Sequence, residues 1–124
     1  MYESVVPEAI RMLVLGSAEP SFYGAPAELK REIHAALRRL FAVWQEWGAR
    51  YLGSFDDDLL MVGMPRARKH HFTIIYEVES LEMAGAMMNL FRTEVEGVLL
   101  NGYVRFEAML GRGFFPADEA AGAA

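Results

Sequence analysis

Two helix signals, each bracketed by strand signals, limit what this chain can fold into more than any other feature. From Pro26, which suits a helix's first turn, Leu29, Ile33, Leu37, Leu40, Trp44 and Trp47 recur at intervals of three and four. That is one apolar stripe on a helix of about 22 residues. Glu28, Lys30, Arg31, Arg38 and Arg39 fall off the stripe, and Gly48 is a terminator. The second helix starts at Ser80 as its cap, with Glu82 in the first turn. It runs through Leu81, Ala84, Met87, Met88, Phe91 and Val95 to about Glu96, where Gly97 closes it.

Strand signals surround both. Ile10 to Ser17 is dense in apolar residues and ends at Gly16 and Pro20. Ala18 to Ala25 is a loop that exposes Phe22 and Tyr23. Arg50 to Phe55 is a second strand, interrupted by Asp56 to Asp58, and Leu59 to Met64 is its continuation or a separate short strand. Met64 to Lys69 is a turn. His71 to Val78 is the best strand in the chain, rich in β-branched and aromatic residues. Tyr103 to Leu110 is the last. The single domain spans residues 1–116, and residues 117–124 are expected to be a disordered tail.

Two β-α-β units in succession, joined by a hairpin, give a ferredoxin-like β-α-β-β-α-β sandwich: an α+β fold with a four-stranded antiparallel sheet and two helices on one face. Right-handed crossovers are expected to set the first and third strands side by side and parallel, with the last strand antiparallel beside the first. Alternation assigns the faces. Met12, Val14, Phe72, Ile74, Tyr76, Val78, Val104, Phe106, Ala108 and Leu110 face the helices. Arg11, Leu13, Leu15, Ser17, His71, Thr73, Ile75, Glu77, Tyr103, Arg105, Glu107 and Met109 face away.

That second face is mixed. Leaving it wet exposes an apolar patch, and burying it completely desolvates charges at several kcal/mol each. A homodimer whose sheets face each other around a lined cavity resolves both, through an isologous interface.

The order of elements across Ile10 to Leu110, the stretch HFTIIYEVESLE leading into the second helix, and GYVRFEAMLGR closing the domain resemble the dimeric α+β barrel superfamily. It includes antibiotic-biosynthesis monooxygenases, small polyketide cyclases and muconolactone-isomerase-like proteins, along with members of no known activity. The resemblance implies a small organic ligand between sheet and helices or between paired sheets, usually without a bound cofactor. Neither stretch is a catalytic signature, so no catalytic residue is carried over.

The candidate catalytic residues are therefore read from the sheet itself: His71, Arg105 and Glu107. With parallel first and third strands, His71 and Arg11 share one end of the sheet, and the last strand brings Glu107 and Met109 to it. Histidine can move a proton near neutral pH, a carboxylate can hold its tautomer, and arginine can fix an anionic oxygen. Arg11, Leu13, Thr73, Ile75, Tyr103 and Met109 are the expected substrate-binding residues. The competing reading is an interface salt bridge of Glu107 with Arg105 or Arg11, with His71 merely solvated. Arg105 and Glu107 lie two residues apart on one face, within reach of each other.

Arg66, Arg68, Lys69 and His70 form a basic hairpin that could draw in a carboxylate or phenolate, or be a solvated turn. The Asp56 to Asp58 run lacks the alternating spacing of a calcium loop, so no metal site is expected. Trp44 and Trp47 belong to the core stripe, and His34 is off it and exposed. The eight methionines are core filling or the lining of a malleable apolar pocket.

Composition narrows the function classes. Cysteine is absent, which removes disulfides, thiolate nucleophiles and thiolate-ligated metals. A net charge of −5 argues against a nucleic-acid partner. No apolar run is long enough for a membrane span or a signal h-region, so a cytoplasmic location is expected. Together with the resemblance, these features point to a cofactor-independent small-molecule enzyme. It would perform proton transfer, cyclisation or oxygenation on an aromatic or polyketide-like substrate, in natural-product biosynthesis or aromatic catabolism. The alternative is a non-catalytic ligand-binding or accessory dimer. Both imply a small organic ligand, anionic or aromatic.

Overall fold

The structure, a computed structural model, describes residues 9–59, 62–63 and 71–122. The elements run β1 (Ile10–Ala18), α1 (Pro20–Tyr23), α2 (Ala27–Glu46), β2 (Arg50–Asp56), β3 (Phe72–Val78), α3 (Leu81–Phe91), β4 (Glu94–Val95), β5 (Val98–Leu99), a 3-10 turn (Leu100–Gly102), β6 (Val104–Arg112) and α4 (Phe115–Ala120). The expected basic hairpin of Arg66, Arg68, Lys69 and His70 lies outside the described residues, as do positions 60, 61 and 64 of the expected Leu59 to Met64 segment.

The main sheet has the order β2-β3-β1-β6, and every neighbouring pair is antiparallel. This is the ferredoxin-like arrangement, with one correction to the strand directions. β1 and β3 are antiparallel neighbours, with Ile10 opposite Val78 and Gly16 opposite Phe72. A right-handed crossover makes parallel the strands that flank each helix, β1 with β2 and β3 with β6. Each such pair is split by one intervening strand, so direct neighbours alternate.

The face assignment follows the two-residue period. Ile10, Met12, Val14, Ile74, Tyr76, Val78, Val104 and Phe106 are buried under α2 and α3. Leu110, at the outer end of β6, is 41% exposed instead. Trp44 of α2 is fully buried, and its Nε1 donates to the Met87 carbonyl of α3 at 3.0 Å, which ties the helices over the sheet. Phe106 is stacked on Phe91 with centroids 4.2 Å apart and lies parallel to Phe41 at 6.1 Å. Gly16 is required by close approach: a Cβ there would fall 2.1 Å from the Phe72 ring. Trp47, expected on the stripe, follows the last residue of α2 and is 46% exposed.

α3 begins as expected, with the Ser80 hydroxyl accepting from the Met83 amide at 3.0 Å. It stops at Phe91 rather than Glu96. Glu96 and Gly97 both have positive φ, 51° and 78°, and form the two-residue turn of the β4–β5 hairpin. Gly97 thus ends no helix. Residues from Phe115 to Ala120, expected in part to be a loose tail, form α4, held by a 2.9 Å ion pair between Arg11 and Asp118. Among the described residues no helix is long and apolar enough to cross a membrane.

Candidate functional site

β1 ends and β6 begins at the same end of the sheet, and the chain segments gathered there form a groove of about 460 Å³. After Ala18 the backbone turns through Glu19 into α1. The Glu19 amide donates to the Tyr103 carbonyl at 2.8 Å, and the Ser21 hydroxyl donates to the Gly102 carbonyl. These bonds fix α1 against the 3-10 turn. The C-terminal end of α3 closes the groove from the helix layer.

At its base lie Phe91, Val104 and Phe106, all nearly wholly buried, so the surface it presents is mostly polar. Its rim is polar, with the guanidinium groups of Arg92 and Arg105, the Glu19 carboxylate and the Asn101 amide. Arg105 Nε lies 3.3 Å from Glu19 Oε1, and both side chains are partly exposed. Arg92, just past α3, makes no ion pair among the described residues. Convergent polar groups in a concave site can fix the orientation of a small ligand.

Of the residues singled out from the sequence, Arg105 lines this groove. The carboxylate it meets there is Glu19, from the β1–α1 turn. Sequence spacing points instead to Glu107, two positions along the same strand, because a contact between distant segments has no spacing to reveal it. Tyr103 is corrected as well. It precedes β6 and packs against the core cluster rather than joining the open face, and its carbonyl anchors Glu19.

The remaining candidates lie on the open sheet face in cross-strand rows. Leu15 is opposite both Thr73 and Glu107, and Leu13 is opposite both Ile75 and Met109. Arg11 does not join His71. The His71 amide bonds the Gly16 carbonyl at 2.7 Å, whereas Arg11 pairs with Glu77 and Gly111 in the ladder. At a strand rise of ~3.3 Å per residue the two are roughly 20 Å apart. The antiparallel β1–β3 pairing causes that separation. The Arg11 guanidinium is engaged by Asp118.

His71 meets the opposite end of α1 from Glu19. Its Nδ1 accepts from the Ala18 amide at 3.0 Å and lies 3.4 Å from the Tyr23 hydroxyl. With the Nδ1 lone pair so engaged, the neutral ring carries its proton on Nε2. Tyr23, legible in the sequence only as an exposed loop residue, thereby becomes part of the same end of the sheet.

Tyr76 is strongly shifted, its hydroxyl pushed up to about 12 by burial and then by the neighbouring Tyr51, but it belongs to the core and not to the groove. Among the described residues no group of three or more His, Cys, Asp or Glu could hold a metal ion.

No protein-family model matches the chain, and no curated protein matches it. Among solved structures it is similar to the crystal structure of a candidate chlorite dismutase, with a TM-score of 0.57 and 17% identity over 96% of this chain and 51% of that one. The chain thus spans about half the length of that neighbour. Likeness at this identity is likeness of fold, and it agrees with the four-stranded antiparallel sheet and its helices as a ferredoxin-like α+β arrangement.

Proposed function

We propose that this protein binds a small organic anion with an aromatic or other apolar body in the groove beside Arg105. The observation that carries this reading is that two guanidinium groups, Arg92 and Arg105, line the groove with a single carboxylate, Glu19, and that only Arg105 is paired with it. An anionic oxygen would be held by the arginines and Asn101. A shared fold does not carry an activity with it, so the neighbour's chlorite dismutase description supports no step here.

Binding is favoured over the catalytic reading by the state of His71. A base in proton transfer, cyclisation or oxygenation needs an open lone pair, and His71 Nδ1 already accepts from Ala18. To act as a base at Nε2, the ring would have to shift its proton to Nδ1 and break that bond.

The open sheet face supports a homodimer. Its centre is apolar, with Leu13, Leu15 and Ile75 half-buried and Met109 53% exposed. At one end of it Arg11 is paired with Asp118 and Arg50 with Glu77. A second copy placed face to face would cover the centre in an isologous contact. Binding of this kind requires no cofactor.

The test of the binding site is calorimetric titration of the wild type and of Arg105→Met with 2-naphthoate. Loss of a charge-assisted hydrogen bond should weaken binding by ~1.5–3 kcal/mol. A folded Arg105→Met protein with unchanged affinity would remove the groove as the ligand site.

A further inference from the structure

The groove carries a carboxylate of its own, and its placement says which ligands the groove accepts. Glu19 Oε1 meets Arg105 at Nε, at 3.3 Å. Among the described residues no other carboxylate forms an ion pair with this guanidinium. Two parallel N–H groups are the part of arginine that matches a carboxylate in fork geometry. The backbone of Glu19 is fixed. Its amide is bonded to the Tyr103 carbonyl at 2.8 Å, and its own carbonyl accepts from the Phe22 amide at 2.9 Å. Its carboxylate is therefore carried on an anchored backbone beside the groove, within reach of Arg105.

The charged side chains lining the groove are Glu19, Arg92 and Arg105, two positive and one negative, for a net charge of +1. A monoanion neutralises that charge. A dianion overshoots it and meets the fixed negative charge of Glu19 at short range, where repulsion in a partly desolvated site is strong. We propose that Glu19 is a specificity-determining residue that restricts the groove to monoanionic ligands, aromatic or apolar carboxylates, and rejects aryl phosphates of the same shape. This inference rests on the groove being the ligand site, and it goes beyond that reading by assigning the ligand's charge to one side chain.

The experiment compares 2-naphthoate with 2-naphthyl phosphate at pH 8, where the phosphate is dianionic. Both are titrated calorimetrically into the wild type, Arg105→Met, Glu19→Gln and Glu19→Ala, each first compared with the wild type for folding by its urea midpoint. Glu19→Gln keeps a carbonyl oxygen for Arg105 Nε and removes the charge, and Glu19→Ala removes both. The wild type should prefer the carboxylate, and both Glu19 variants should move the affinity ratio toward the phosphate by about tenfold or more, the scale of one unit charge at close range near a protein surface. An unchanged ratio in both variants overturns the proposal. If 2-naphthoate still binds the wild type and is lost in Arg105→Met, the groove reading survives that failure. Loss of both ligands in both Glu19 variants also overturns it, because Glu19 then serves only to hold Arg105. A wild type that binds neither probe removes the groove reading and this inference together.

Discussion

The two faces of the main sheet are made by the same strands and have opposite fates. On the covered face, Met12, Val14, Tyr76 and Val104 are almost entirely buried beneath α2 and α3. On the open face, their sequence neighbours Leu13, Leu15, Ile75 and Arg105 are half-buried or exposed. The covered face holds the aromatic cluster around Phe106 and the hydrogen bond that ties α2 to α3. The open face holds the mixed rows of Leu13, Ile75 and Met109 and of Leu15, Thr73 and Glu107, with two ion pairs at one end. Buried apolar packing is thus concentrated on one side of the sheet, and a half-buried, mixed surface is left on the other. The groove lies where the two meet: Arg105 comes from the open side of β6, and Phe106 from the covered side.

The contrast can be broken most severely at Trp44. Trp44→Ala removes a fully buried indole and leaves the Met87 carbonyl without its donor, and should cost about 3–5 kcal/mol in equilibrium urea unfolding. A loss below about 1 kcal/mol would mean that the covered face is not the main source of stability.

A paired glycine substitution compares the faces directly. Gly16 lies under the Phe72 ring, and an added methyl must displace it, so Gly16→Ala should cost about 1–3 kcal/mol. Gly111, opposite Arg11, has open space where a Cβ would go, and Gly111→Ala should stay within about 0.5 kcal/mol. Equal costs at the two sites, read from urea midpoints, would erase the distinction.

A small effect on the chain's own stability is also expected at Leu13. Its long replacement in Leu13→Lys can carry the ammonium to the rim, at a cost of under about 1 kcal/mol. Sedimentation of the wild type at micromolar concentration should give about twice the chain mass of 13.9 kDa, and Leu13→Lys should return it to the single-chain value. A wild type that already sediments as one chain would end the dimer proposal.

Much of this architecture is written locally. The stripe from Ile33 to Trp44, the Ser80 cap and the inward set in β1, β3 and β6 all follow from backbone periods of 3.6 and 2 residues, and the structure has them where those periods put them. The β4–β5 hairpin is hidden in the sequence because Val95 and Gly97 also suit the end of a helix, and only the conformation of Glu96 and Gly97 separates the two readings.

The candidate site is legible in the sequence at one residue. Arg105 is visible as a charge in an apolar strand, but Glu19, which it meets, and Phe91 and Arg92 at the C-terminal end of α3 come from segments distant from it in sequence. By itself the sequence determined which side chains share a face and where the helices begin, because those depend on dihedral angles and near neighbours. Tertiary structure alone decided strand direction and register, and with them the separation of His71 from Arg11 and the meeting of Arg105 with Glu19. Those contacts depend on how distant segments are brought together by crossovers and core packing, and no local spacing encodes that.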